Sequence, residues 1–110
     1  MNGNFQRVRE LNELPILLAE SKEKPVVIFK HSTTCPVSAG AYEEMAALKD
    51  DVALVEVQTA RDLSQEIASS TGVKHETPQV IILRNGKPVW HSSHWEITKE
   101  TVEKALRENP

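Results

Sequence analysis

The sequence holds one cysteine in 110 residues. That excludes an intrachain disulfide, a Cys-x-x-Cys dithiol centre and any all-protein Cys₄ metal site. Long hydrophobic runs are missing too: stretches such as Val26-Val27-Ile28-Phe29 are far too short to span a bilayer, so no membrane partner is expected. The opening residues, MNGNFQRVREL, lack the apolar segment of a secretory signal, and a cytoplasmic protein is expected. There is no basic excess. Thirteen Lys and Arg against sixteen Asp and Glu give a net charge of −3, which makes nucleic acid an improbable partner. The four glycines are scattered, so no Gly-rich phosphate loop exists. With 39% hydrophobic and 26% charged residues the composition is that of an ordinary globular chain. One domain over residues 1–110 is expected, carrying a lone thiol.

Patterning places the elements. Leu11 to Glu20 reads as a short helix, with Asn12 as a cap and Pro15 in the first turn, where a missing N–H is tolerated. Val26 to Phe29 is β-branched and aromatic without polar alternation, as in a strand buried on both faces. From Pro36 to Lys49, Val37, Ala41, Met45 and Leu48 make one apolar helical stripe. Val52 to Val57 follows as a strand, completing a βαβ unit.

Thr59-Ala60-Arg61-Asp62 matches a capping box, Leu63 and Ile67 line the inner face of the helix it opens, and Gly72 supplies a left-handed end. Val80 to Leu83 forms the next strand. Asn85-Gly86 then signals a tight hairpin, with Lys87 to His91 returning and a last helix over Thr98 to Glu108. The expected fold is α/β: a four-stranded mixed sheet in β-α-β-α-β-β-α order, flanked by helices, with an extra N-terminal helix.

Cys35 falls at the junction of the first buried strand and the helix after it, with Pro36 in the first helical position that proline favours. A sulfur there meets free backbone N–H groups and the positive end of the helix dipole, a setting that favours thiolate. Lys30 and His31 add positive charge nearby in sequence, and Thr33 and Thr34 offer hydroxyl donors or caps. The polar His-Ser-Thr-Thr segment before Cys35 weighs against a buried, inert cysteine, although free cysteines are commonly buried. Ser38, one turn on, either bonds the Cys35 sulfur or merely serves the backbone. It stands where a dithiol enzyme would hold its resolving cysteine, so a mixed disulfide on Cys35 must be completed by an outside thiol.

Strand, loop, Cys-Pro-x-Ser and helix, together with Thr77-Pro78 entering a later strand, resemble the thioredoxin superfamily. More narrowly, KPVVIFKHSTTCPVSAGAYEEM and ETPQVIILRNGKPVWHSSHWEIT resemble the YtxJ-type monothiol bacilliredoxins, whose Thr-Cys-Pro-Ile-Ser motif appears here as Thr34-Cys35-Pro36-Val37-Ser38. The resemblance runs from about Lys24 to Leu106. It implies a thioredoxin-like fold and a monothiol oxidoreductase that strips bacillithiol from S-bacillithiolated client proteins. Cys35 would be the nucleophile, Thr34, Pro36 and Ser38 would stabilise its thiolate, and bacillithiol would be the thiol co-substrate, with no tightly bound cofactor. It further implies a cis bond before Pro78, with Thr77 and Pro78 binding substrate as an added strand does. A monomer is expected.

Other signals carry less. His31, His75, His91 and His94 do not assemble the four ligands of a closed zinc site, no metal is expected, and they read as solvated loop residues, with His75 near Pro78. Trp90 and Trp95 read as aromatics closing a small core. Two rivals stand beside the main reading: a non-catalytic adaptor or redox sensor of the same fold, and a glutaredoxin-like protein using another small thiol. Pro36-Val37 in place of the Gly-Phe of monothiol glutaredoxins argues against the second.

Overall fold

The computed structural model describes residues 4–110. Its elements are β1 (Phe5–Arg7), α1 (Glu13–Glu20), β2 (Val26–His31), α2 (Pro36–Ala46), β3 (Val52–Glu56), α3 (Arg61–Thr71), β4 (Gln79–Arg84), β5 (Lys87–Ser93), a single 3₁₀ turn at His94–Glu96, and α4 (Lys99–Glu108). The strands form one sheet in the order β1-β3-β2-β4-β5. β1 and β2 run parallel to β3, while β4 is antiparallel to both β2 and β5.

The unbroken apolar run of β2 follows from its central place. Val27 and Phe29 join Val52, Leu54, Val80 and Ile82 in a core closed by Ala41 and Met45 of α2 and Val102 and Ala105 of α4. Val26 and Ile28 join Val55, Ile81 and Leu83 in a second core closed by Leu14 and Leu17 of α1 and Leu63 and Ile67 of α3. Two buried faces leave no polar phase for the strand to show. At the hairpin, Asn85 and Gly86 take φ of 58° and 76°, the left-handed pair that a two-residue connection with native twist requires. Gly72 closes α3 at φ 75°.

Several expectations need correction. The sheet has five strands, not four, because Phe5–Arg7 pairs with Val52–Leu54. β2 continues through Lys30 and His31, both buried, so His31 is a strand residue rather than a solvated loop residue. α2 ends at Ala46; the Ala47 and Leu48 N–H groups bond the carbonyls three residues back, which tightens the chain into a turn and still buries Leu48. Its inner stripe begins at Ser38, fully buried, whereas Val37 is only half-buried. Trp95 closes no core, being 77% exposed.

The capping box is not at Thr59. α3 starts at Arg61 with Ala60 as its N-cap, and no side chain caps it. The box belongs to α4, where Thr98 Oγ1 accepts the Thr101 N–H at 3.1 Å and Thr101 Oγ1 accepts the Thr98 N–H at 3.2 Å. Thr98→Ala is expected to lower the stability of the fold by about 1 kcal/mol, read as a lower urea midpoint at unchanged slope.

Candidate functional site

Four connections converge at the C-terminal end of β2. Register places Lys30 opposite Val55 of β3 and Gln79 of β4, and Gln79 opposite Ser93 of β5. The loop Ser32–Cys35, the turn after β3, residues 75–78 and the His94–Glu96 turn therefore share one edge of the sheet. The Val57 N–H bonds His31 O at 3.0 Å and the His94 N–H bonds Pro78 O at 3.0 Å, which ties these segments together. Thr77-Pro78 is a cis bond and lies directly ahead of Gln79.

Cys35 is the N-cap of α2, extended at φ −104° and ψ 122°, with Pro36 as the first helical residue. Its carbonyl accepts the first intrahelical N–H, from Ala39, at 3.0 Å. The N–H groups of the first turn thus point out of the helix end at which the thiol sits. The residue is half-buried, open to an attacking or leaving sulfur.

Ser38 does not bond the sulfur. Its Oγ lies 2.7 Å from His31 Nδ1 and accepts the Ser32 N–H at 2.9 Å. Three residues into α2, it has turned toward β2, into a layer where His31 stacks on Phe29 and Tyr42 at centroid distances of 5.4 and 4.9 Å. The hydroxyl therefore fixes the loop that carries Cys35 to the strand below it. Burial holds His31 below its ordinary pKa, against the opposing pull of Glu56 and the bond to Ser38.

Thr34 serves the loop in a similar way. Gln58 Nε2 donates to Ser32 Oγ at 2.8 Å and to Thr34 Oγ1 at 3.3 Å, and Gln58 Oε1 accepts the Thr33 N–H at 3.3 Å. Gln58 is thus a clamp on the Cys35 loop that sequence reasoning missed; a lone glutamine after a strand carries no signal.

The charges expected near Cys35 diverge. His31 faces α2, while Lys30 lies on the opposite face of the sheet. Lys30 is 0% exposed, and its Nζ sits 3.1 Å from Nδ1 of His75. Burial brings its pKa down to about 8. His75 is lowered as well, first by its own partial burial and then by the Lys30 charge, with Glu76 opposing. Its Nε2 is 3.3 Å from Thr77 Oγ1, so the Thr77-Pro78 segment is linked through His75 to Lys30. Gln79 Nε2 donates to Lys74 O at 2.9 Å and braces the same loop. Among the described residues no helix is long and apolar enough to cross a membrane, and no three His, Cys, Asp or Glu side chains gather as metal ligands.

This arrangement suits thiol–disulfide exchange: one accessible sulfur at a helix start, beside a braced strand entry. Comparison with known proteins agrees. A family model described as monothiol bacilliredoxin BrxC matches residues 6–102. A solved structure described as a candidate oxidoreductase with a thioredoxin fold is 34% identical, covering 94% of each chain with a TM-score of 0.87. Thioredoxin from Trypanosoma brucei brucei is 18% identical over 98% of this chain and 92% of its own, with a TM-score of 0.75. A thioredoxin from Schistosoma mansoni is 17% identical over 98% of this chain and all of its own, with a TM-score of 0.73. These two share the fold.

Proposed function

The chain belongs to the monothiol bacilliredoxin family, and on that premise we propose that it removes bacillithiol from S-bacillithiolated proteins through a mixed disulfide on Cys35. The observation that carries this reading is the sole cysteine, half-buried at the N-cap of α2, with a buried serine where a second thiol would otherwise resolve the intermediate.

The Cys35 thiolate attacks the bacillithiol sulfur of the client's mixed disulfide. A new S–S bond forms, the old one breaks, and the client sulfur leaves with the bonding pair and takes a proton from water. With Ser38 unable to act as a thiol, a second bacillithiol attacks the sulfur that Cys35 holds. Bacillithiol disulfide departs and the Cys35 thiolate is restored, so one free bacillithiol is oxidised to the disulfide level for each client thiol released and no bound cofactor is needed. Thr77 and Pro78, at the entry to β4, are the residues we assign to the client backbone. The setting in which these partners meet is the cytoplasm.

Intact mass spectrometry after mixing the reduced protein with a bacillithiolated client tests the reading. The expected result is a bacillithiol adduct on this chain and a client returned to its free mass. Transfer from a glutathionylated client instead would keep the chemistry and change the thiol; transfer from neither by a folded protein would favour the adaptor reading.

A further inference from the structure

A cleft of about 280 Å³ lies between Val57, Gln58, Arg61, Ser64, Gln65 and His75. Its two ends are fastened to the two halves of the site. Gln58 bonds the Ser32 and Thr34 hydroxyls of the Cys35 loop, and His75 reaches Thr77 Oγ1 ahead of Pro78. The charge in and behind it is one-sided. Arg61 lines it without a carboxylate within ion-pair distance among the described residues. Behind His75 stands Lys30, fully buried, with that imidazole as its side-chain partner. No Asp or Glu lines the cleft. Of the acids nearby, Glu56 is paired with Arg7 at 2.9 Å, and Glu76 next to His75 offsets part of the positive field. Ser64, a lining residue only 3% exposed, carries a hydroxyl with no hydrogen-bond partner. A buried hydroxyl without a partner is costly, and so is a buried ammonium answered by a single imidazole.

We propose that this cleft receives a carboxylate of the small-thiol half of the mixed disulfide on Cys35, with Arg61 as its charged partner, Gln65 as an amide donor and the Lys30–His75 pair as the cationic wall behind. The inference rests on the exchange reading above and deepens it by naming a specificity subsite. The size of the cleft suits a small head group rather than a polypeptide, which places the anion on the small thiol and not on the client.

The test holds the client constant and varies the small thiol. One client peptide is prepared as its mercaptosuccinyl disulfide, which bears two carboxylates, and as its mercaptoethyl disulfide, which bears none. Rates of transfer to Cys35 are measured for both. The wild-type protein is expected to prefer the mercaptosuccinyl form by about tenfold in second-order rate, the scale of one charge-assisted contact. That preference is expected to shrink with added salt. Arg61→Gln is expected to bring the ratio close to one and Arg61→Lys to restore part of it, since lysine keeps the charge but not the fork. Arg107→Gln, on α4 away from the cleft, is expected to keep the wild-type ratio. Equal rates for the two disulfides in the wild type, or an unchanged ratio in Arg61→Gln, overturn the subsite and leave the exchange reading standing. Absence of any Cys35 adduct from either disulfide overturns both.

Discussion

Cys35→Ser is expected to abolish transfer while leaving the fold intact or slightly more stable. The loss is complete because no other sulfur nucleophile exists in the chain, and a serine hydroxyl at neutral pH supplies no comparable anion. The effect on stability has the opposite sign for a local reason. Cys35 is the N-cap of α2, yet it makes no side-chain capping bond. Serine is among the preferred N-caps and accepts an N–H of the first turn, so the substitution is expected to add about 0.5–1 kcal/mol. Mass spectrometry for the adduct and urea unfolding for stability check the two halves. A residual adduct on the variant would place the chemistry elsewhere. A loss of several kcal/mol would mean that the thiol was packing rather than waiting at a helix end.

Lys30→Met is expected to raise stability at neutral pH, by about 1–3 kcal/mol once the screening of the ammonium by nearby water is allowed for. Burial sets the Lys30 pKa at about 8 against 10.5 for a free side chain. Below pH 8 both the folded and the unfolded chain carry the proton, and the folded one bears the full penalty of a buried cation. Between about 8 and 10.5 the folded chain gives up its proton while the unfolded chain keeps it, so wild-type stability rises with pH across that window. Methionine fills a similar volume without charge and removes both the penalty and the slope. Urea midpoints at pH 7 and pH 10 test this: the gap between variant and wild type should be large at the first and small at the second. A variant less stable than wild type at pH 7 would show that the bond to His75 outweighs the desolvation.

The elements that could be read from the sequence are those whose local chemistry has one structural solution. Asn85-Gly86 is such a case, because few other pairs accept two left-handed residues in succession. Cys35-Pro36 marks a helix start for a similar reason, and four apolar β-branched or aromatic residues in a row at Val26 leave little besides a doubly buried strand. What escaped depends on partners distant in sequence. Phe5–Arg7 is three residues with no periodicity and becomes a strand only when β3 is there to pair with it. The pattern at Thr59 and Asp62 satisfies the capping rule in letters, yet the helix begins one residue too late to use the threonine; the box that forms, Thr98 with Thr101, lacks the acidic letter. His31 reads as a loop residue by its type, although β2 runs straight through Lys30 and His31, one to each face. At the site, the sequence located the sulfur and the Thr77-Pro78 entry. It did not reveal that Ser38 serves His31, or that Gln58 bridges from the end of β3.

The two indoles stand in contrasting surroundings. Trp90 packs against the core beneath α4, whereas Trp95 projects into solvent one residue beyond the N–H that Pro78 O accepts. The protein thereby contains two fluorophores of separate use. Emission from Trp90 should shift to the red only when the chain unfolds. Emission from Trp95, already water-like, should change when a client or small thiol settles beside the Thr77-Pro78 segment. Single-tryptophan variants, each replacing one indole by phenylalanine, would let stopped-flow fluorescence follow docking at the site and the integrity of the core as independent signals, without an attached dye that would compete for the one thiol.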